Sequence, residues 1–234
     1  MLKATKNIKV TLPPIQYLNI NDMFVGRLKD EIPKSIEFIS KGLVGSGLLQ
    51  LDISNNAVNP FGAEALLIYL SQAASLQVLL IYNCGLGPMG VAKIAEGFKG
   101  TPSLKTLSIG RNRMEDEGIL SIAENLPFVP QLEQLFVYQN TLKEKGLTLL
   151  FKQLREHCKS LNLLDLCDNF VRGTATKELV LLLQEVVTLR NLNLSDCLKE
   201  EQNPMVVEGF KVHFHSFRPR PTDNGSVLAL TTQN

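Results

Sequence analysis

The chain is 234 residues long, with 24 basic and 23 acidic side chains and a formal net charge of +1. That balance excludes a general nucleic-acid or membrane-surface footprint, and no segment has the unbroken apolar length of a membrane span. Hydrophobic residues make up 44% but aromatics only 6%, and Trp is absent, so Leu, Ile, Val and Ala must fill the core.

Residues 1–14, MLKATKNIKVTLPP, carry basic residues but no apolar stretch of the secretory kind, and are read as an N-terminal lead or short cap. From Ile15 onward one motif returns, L-x-x-L-x-[L/I/V]-x-x-[N/C], opening at Ile15, Leu48, Leu76, Leu104, Leu132, Leu161 and Leu189. The separations are 33, 28, 28, 28, 29 and 28 residues. Such a period predicts a leucine-rich-repeat solenoid of the α/β class, in which each unit of about 28 residues supplies one strand and one helix. Parallel strands belong on the concave face and helices on the convex face, and the longer helix bends the stack into a horseshoe. The repeat domain spans 15–210 in about seven units.

The first unit is irregular. Its strand, IQYLNIND, lacks the loop Asn and runs into MFVGRLKDEIPKSIEFISKGL, where Pro33 sets an early helix. The unit at Leu76 is the clearest. Alternation turns Leu79 and Ile81, with Leu76, to the core and Val78, Leu80 and Tyr82 to the concave face. Cys84 turns inward to satisfy loop backbone groups, a task given to Asn56, Asn112, Asn140 and Asn169 in other units. Gly85-Leu86-Gly87 makes the turn, Pro88 fits the first helical turn, and Val91, Ile94, Ala95 and Phe98 follow at helical spacing. Later helices are expected around Glu115–Leu126, Lys143–Cys158 and Thr174–Val187. Residues 211–234, which include RPRPTDNGSVLALTTQN, are rich in Pro and polar residues and read as a loosely ordered tail.

Four cysteines, Cys84, Cys158, Cys167 and Cys197, form no C-x-x-C pair, which favours reduced thiols in an intracellular protein. No metal site is expected, since His213 and His215 alone in a tail are too few ligands. Gly85-x-Gly87 lacks the Lys-Ser/Thr of a phosphate loop. Glu115, Asp116 and Glu117 open a helix, where exposed backbone N–H groups favour negative charge.

One polar row stands out. The residue before each loop Asn or Cys reads Asn55, Asn83, Arg111, Gln139, Asp168 and Asp196 in successive units. It runs along the rim where strand gives way to loop. The first unit adds Arg27, Lys29, Asp30 and Glu31 after its strand. The bland reading is a solvated loop edge; the sharper one is a binding rim.

The stretch NDMFVGRLKDEIPKSI resembles the hallmark segment of Ran GTPase-activating proteins. In the expected order follow LDISNNAVNPFGAEAL, NCGLGPMGVAKIAEGF, GRNRMEDEG and LNLSDCL, so that the resemblance covers about Ile15 to Phe210. It implies a Ran-type small GTPase in its GTP form as partner, and faster hydrolysis of its bound GTP. The family is understood to order the partner's own catalytic machinery without supplying an arginine finger. On this resemblance Asn83 and Arg27 carry the activation, and Lys29, Asp30, Arg111, Asn55 and Gln139 are expected to meet the partner. No cofactor is expected, because GTP and magnesium belong to the GTPase, and the chain should have no hydrolase site of its own. A cytoplasmic and perinuclear location, with neither nucleic acid nor membrane insertion, completes the expectation. The competing reading is a non-catalytic repeat adaptor for another protein.

Overall fold

The computed structural model describes residues 15–24, 26–28, 30–198, 204 and 206, together with the backbone of 229–231. Strands and helices alternate: β1 (Tyr17–Asn19), α1 (Glu31–Leu43), β2 (Gln50–Asp52), α2 (Asn59–Leu70), β3 (Val78–Leu80), α3 (Gly87–Glu96), β4 (Thr106–Ser108), α4 (Glu115–Asn125), β5 (Gln134–Phe136), α5 (Glu144–His157), β6 (Leu163–Asp165), α6 (Gly173–Glu185) and β7 (Asn191–Asn193). Short 3-10 turns follow α3 and α4. The seven strands pair in parallel in chain order, each with the next. This is the repeat solenoid that the periodicity calls for. A three-residue strand, β8 (Ala229–Thr231), runs antiparallel to β7 with Leu230 opposite Leu192. The remainder of the expected tail, the first fourteen residues, Val25 and Lys29 lie outside the described residues.

Each strand residue pairs with the equivalent residue of the next repeat. Leu51, Leu79, Leu107, Leu135, Leu164 and Leu192 therefore stack as one buried column. The expected core of the third unit, Leu76, Leu79, Ile81, Cys84, Val91, Ile94, Ala95 and Phe98, is buried throughout. One core runs between the sheet and the helices from Phe24 to Val206. Each helix contacts the next. Helices pack at ~8–10 Å and strands at ~4.8 Å, so stacking both in step bends the molecule with the strands inside. Close helix spacing uses small residues. At Gly100 an added Cβ would lie 2.2 Å from the Ser71 carbonyl carbon, which no side chain could occupy.

Neighbouring repeats also cap one another. Helix α4 begins at Glu115, with Glu115, Asp116 and Glu117 in its first turn as expected. Asp116 does more: its carboxylate accepts from the Lys143 backbone N–H at 2.7 Å, just before α5. Glu144 repeats the device one unit on, accepting from Thr174 N–H at 2.8 Å and from its hydroxyl at 2.9 Å. Those bonds, the backbone one first, hold the Glu144 carboxyl below its ordinary range.

Candidate functional site

Every member of the polar row stands in the left-handed backbone region. The φ values are 56° at Asn55, 54° at Asn83, 55° at Arg111, 51° at Gln139, and 56° at both Asp168 and Asp196. Asn and Asp accept this conformation readily, but Arg and Gln seldom do. The sheet holds it in place. Backbone N–H groups of Asn55, Asn83, Arg111, Gln139 and Asp168 donate to Tyr82, Gly110, Tyr138, Cys167 and Ser195 of the following repeat at 2.8–3.0 Å. The row thus extends the ladder to three residues past the end of each strand and then turns out of it, which leaves its side chains on the rim.

A second ladder of side chains lies directly beneath. The Asn112 amide donates to the carbonyls of Ile81, Ile109 and Gly110 at 2.8–3.1 Å, and its oxygen accepts from Cys84 N–H at 2.9 Å. The Asn140 oxygen accepts from Asn112 N–H at 2.8 Å, and that of Asn169 from Asn140 N–H at 3.2 Å. All three asparagines are fully buried. At the cysteine positions a thiol keeps only the donor half: Cys84 Sγ reaches the Ile53 carbonyl at 3.3 Å, and Cys197 Sγ the Leu166 carbonyl at 2.9 Å. This buried ladder makes the rim a rigid platform rather than a set of independent loops.

The first repeat departs from the expected placement in detail. Its member of the row is Asp22, seven residues after Ile15 as Asn55 is after Leu48, with φ at 57° and its N–H on the Ser54 carbonyl at 3.1 Å. Counting the register would have found it; the missing loop Asn drew attention further along. Asn56 of the second repeat makes good that absence by accepting from Phe24 N–H at 2.9 Å and donating to the Ile20 carbonyl at 2.9 Å. Arg27 and Asp30 lie beyond, in the longer loop that leads to α1. Arg27 follows Gly26, whose φ of 74° turns the chain, and closes a turn onto the Phe24 carbonyl at 3.2 Å. Both side chains are exposed, and neither has a hydrogen bond or ion pair to the row among the described residues. Asp30 immediately precedes α1 without capping it.

Side-chain bonds divide the row. Asn83 donates to Asn55 at 2.8 Å, and Asn55 lies 3.4 Å from both the Asn21 oxygen and the Tyr82 hydroxyl. Gln139 donates to Asp168 at 3.2 Å. Arg111 stands exposed between these two groups, with no ion pair among the described residues. The Tyr138 ring packs against the neighbouring Gly110, where an added Cβ would lie 2.6–2.7 Å from three ring atoms, so the ring would have to shift for any other residue. Burial pushes the Tyr138 phenol above its ordinary pKa; Tyr82 and Asp165 add to the rise and Arg111 opposes it.

Not every exposed side chain near the loops is polar. Met23, Leu28, Phe61 and Met89 are all more than half exposed in the first three repeats. Phe61 and Met89 occupy the same position in adjacent units, which Glu117 and Lys145 fill in the next two. Their 28-residue spacing was visible in the sequence, but the core pattern beside it masked them.

The cysteines separate by environment. Burial raises Cys84, Cys158 and Cys197 to about 12. Cys167 is half-buried, and burial with the nearby Asp165, Asp196 and Asp168 raises it as well. In native protein at pH 8, a thiol-reactive disulfide reagent should therefore label Cys167 slowly and spare the other three until denaturant is added. Rapid labelling of two or more thiols would contradict these environments. Among the described residues no group of three His, Cys, Asp or Glu is placed to hold a metal ion, and no helix is long and apolar enough to cross a membrane.

No family model matches the chain. Three curated proteins match in part. Ran GTPase-activating protein 2 of Caenorhabditis elegans is 40% identical over 79 residues, covering 32% of this chain and 8% of that protein. Ran GTPase-activating protein 1 of Xenopus laevis is 34% identical over 89 residues, covering 36% and 15%. The Drosophila melanogaster Ran GTPase-activating protein is 43% identical over 70 residues, covering 28% and 12%. The chain thus spans only 8–15% of the length of these relatives. A solved structure of leiomodin-1 actin-binding site 2 superposes with a TM-score of 0.48 at 15% identity, covering 80% of this chain and 89% of that one, a likeness too slight to carry an argument. The partial matches are to three proteins that share one name, and suggest that family.

Proposed function

We propose that this chain stimulates GTP hydrolysis by a Ran-type small GTPase in its GTP form, through the strand-to-helix rim of its first five repeats. The observation that carries the reading is the similarity, at 34–43% identity, to three proteins named for that activity. A rigid row of outward polar side chains, with Asn83 near its centre, supports it. A GTPase already holds GTP, magnesium and a glutamine that orients the attacking water, so an activator needs chiefly to order that machinery. Asn83, neutral and with its side chain bonded only to Asn55 among the described residues, suits such a task. Arg27 contributes from the neighbouring loop, and Arg111 and Gln139 extend the contact along the row. Lys29 and Asp30 belong to the same contact by their place in the sequence. No arginine finger is involved: the arginines engage the partner's surface rather than its phosphates. The chain has no hydrolase site of its own, and GTP and magnesium come with the partner. It acts in the cytoplasm, close to the nuclear envelope.

The test is single-turnover hydrolysis by GTP-loaded Ran, with and without this chain. Acceleration that saturates with chain concentration is expected, with no turnover of GTP by the chain alone. Binding without acceleration would leave the adaptor reading in its place.

A further inference from the structure

We propose that Asn55 is a positioning residue for Asn83 rather than itself a point of contact, and that it presents the Asn83 carbonyl oxygen outward to a hydrogen-bond donor on the partner. The inference rests on the reading that Asn83 acts on a GTPase.

The geometry is specific. Both residues are held in the left-handed conformation, at 56° and 54°, by N–H bonds of 3.0 Å into the next repeat. Their backbones are therefore fixed, one strand spacing of ~4.8 Å apart, a gap that two short amides can close. The Asn83 amide nitrogen donates to the Asn55 oxygen at 2.8 Å. The Asn55 nitrogen in turn faces the Asn21 oxygen and the Tyr82 hydroxyl, each at 3.4 Å, and the Asn21 nitrogen faces the same hydroxyl at 3.4 Å. The three outer contacts are long and individually weak. Two of them meet at the Tyr82 hydroxyl and the third joins Asn55 to Asn21, so together they steer Asn55 without immobilising it. The bond to Asn83 is the short one and sets its orientation. On the other side, no side-chain bond joins Asn83 to Arg111 among the described residues. With its nitrogen turned back into the platform, Asn83 offers its oxygen to the outside. A donor such as a side-chain amide of the partner is the matching chemistry.

Removing Asn55 would free Asn83 to rotate. An effect on catalysis should follow with little effect on affinity, because a mispositioned group loses transition-state geometry before it loses contact. Glycine is the proper deletion, since alanine at a φ of 56° would add backbone strain of its own. Aspartate is the conservative rescue: it keeps an acceptor for the Asn83 nitrogen and tolerates the left-handed backbone.

The experiment is single-turnover hydrolysis by GTP-loaded Ran over a range of concentrations of the wild-type chain, Asn83→Ala, Asn55→Gly, Asn55→Asp and the double variant Asn55→Gly/Asn83→Ala. Unfolding midpoints are measured alongside. Asn55→Gly should lower the maximal rate about tenfold and leave the half-saturating concentration unchanged. Asn55→Asp should stay within about twofold of wild type. The double variant should be no slower than Asn83→Ala, since the two residues act as one unit. An undiminished rate in Asn55→Gly would overturn the proposal. So would effects that add in the double variant, which would make Asn55 a contact in its own right. An Asn55→Asp variant as slow as Asn55→Gly would overturn the outward carbonyl, since that variant allows only this amide direction. A wild-type rate in Asn83→Ala would instead remove the reading on which the proposal stands.

Discussion

Alanine at Asn83 is expected to slow stimulated GTP hydrolysis by about 100-fold at saturating chain, the usual size of the loss when one preorganised polar group is taken from a catalytic arrangement. The structural cost should be far smaller. The side chain is exposed and makes one bond of 2.8 Å, to Asn55, worth about 0.5–1.5 kcal/mol net. Alanine also bears strain of about 1 kcal/mol in the left-handed backbone. Asn83→Gly avoids that strain and separates the two effects: it should restore most of the stability and none of the rate. Arg27→Ala should lower both rate and affinity without affecting unfolding, because Arg27 has no ion pair among the described residues and stands exposed after the Gly26 turn. Wild-type rates in both variants would show that the rim is not where the partner is acted upon. The rates are read by single-turnover assay and the stability by denaturant titration.

The largest effect on stability is expected at Asn112, where alanine should cost about 4 kcal/mol, out of a total that for natural domains is about 5–15 kcal/mol. The residue is fully buried and its amide serves two repeats at once. Alanine leaves the Cys84 N–H and the carbonyls of Ile81 and Ile109 without this partner in a place where water cannot replace it. An unmade bond to a buried group costs more than a made bond contributes, which is why the loss exceeds the value of one exposed hydrogen bond. Asn112→Cys provides the informative comparison. The chain itself uses cysteine at 84 and 197, where each thiol still donates to the preceding repeat. The cysteine variant should therefore retain part of the loss, at about 2 kcal/mol. Urea unfolding of the three proteins measures both values. A loss below about 1 kcal/mol for alanine would mean that the loops carry their own bonds and that the buried ladder is not a unit.

Much of this architecture was legible because repetition makes position meaningful. The column from Leu51 to Leu192, the buried asparagines and the polar row all sit at constant distances from the opening leucines. A stack of identical layers leaves each position one environment. The first repeat was harder to read. Met23 stands where a loop Asn was expected and is exposed, while Asp22, one residue earlier, joins the row. The burden had moved to Asn56, which reaches back across the repeat boundary, and no local reading of the first unit could reveal that. Asp116 and Glu144 are similar: as residues of a first helical turn they were expected, but as caps of the following helix they were not.

Sequence alone determined the class of fold, the number and order of the repeats, which face of each strand is buried, and the positions of the rim row from the second repeat onward. Period and alternation suffice for these, because they follow from chain geometry within one unit. The tertiary structure decided which rim residues act together. It joined Asn83 to Asn55, placed the Tyr82 hydroxyl beside Asn55 and Asn21, left Arg111 exposed with no ion pair among the described residues, and set Arg27 and Asp30 apart from the row in their own loop. Those relations depend on side-chain reach between residues about 28 positions apart, which a repeating motif brings together but does not orient.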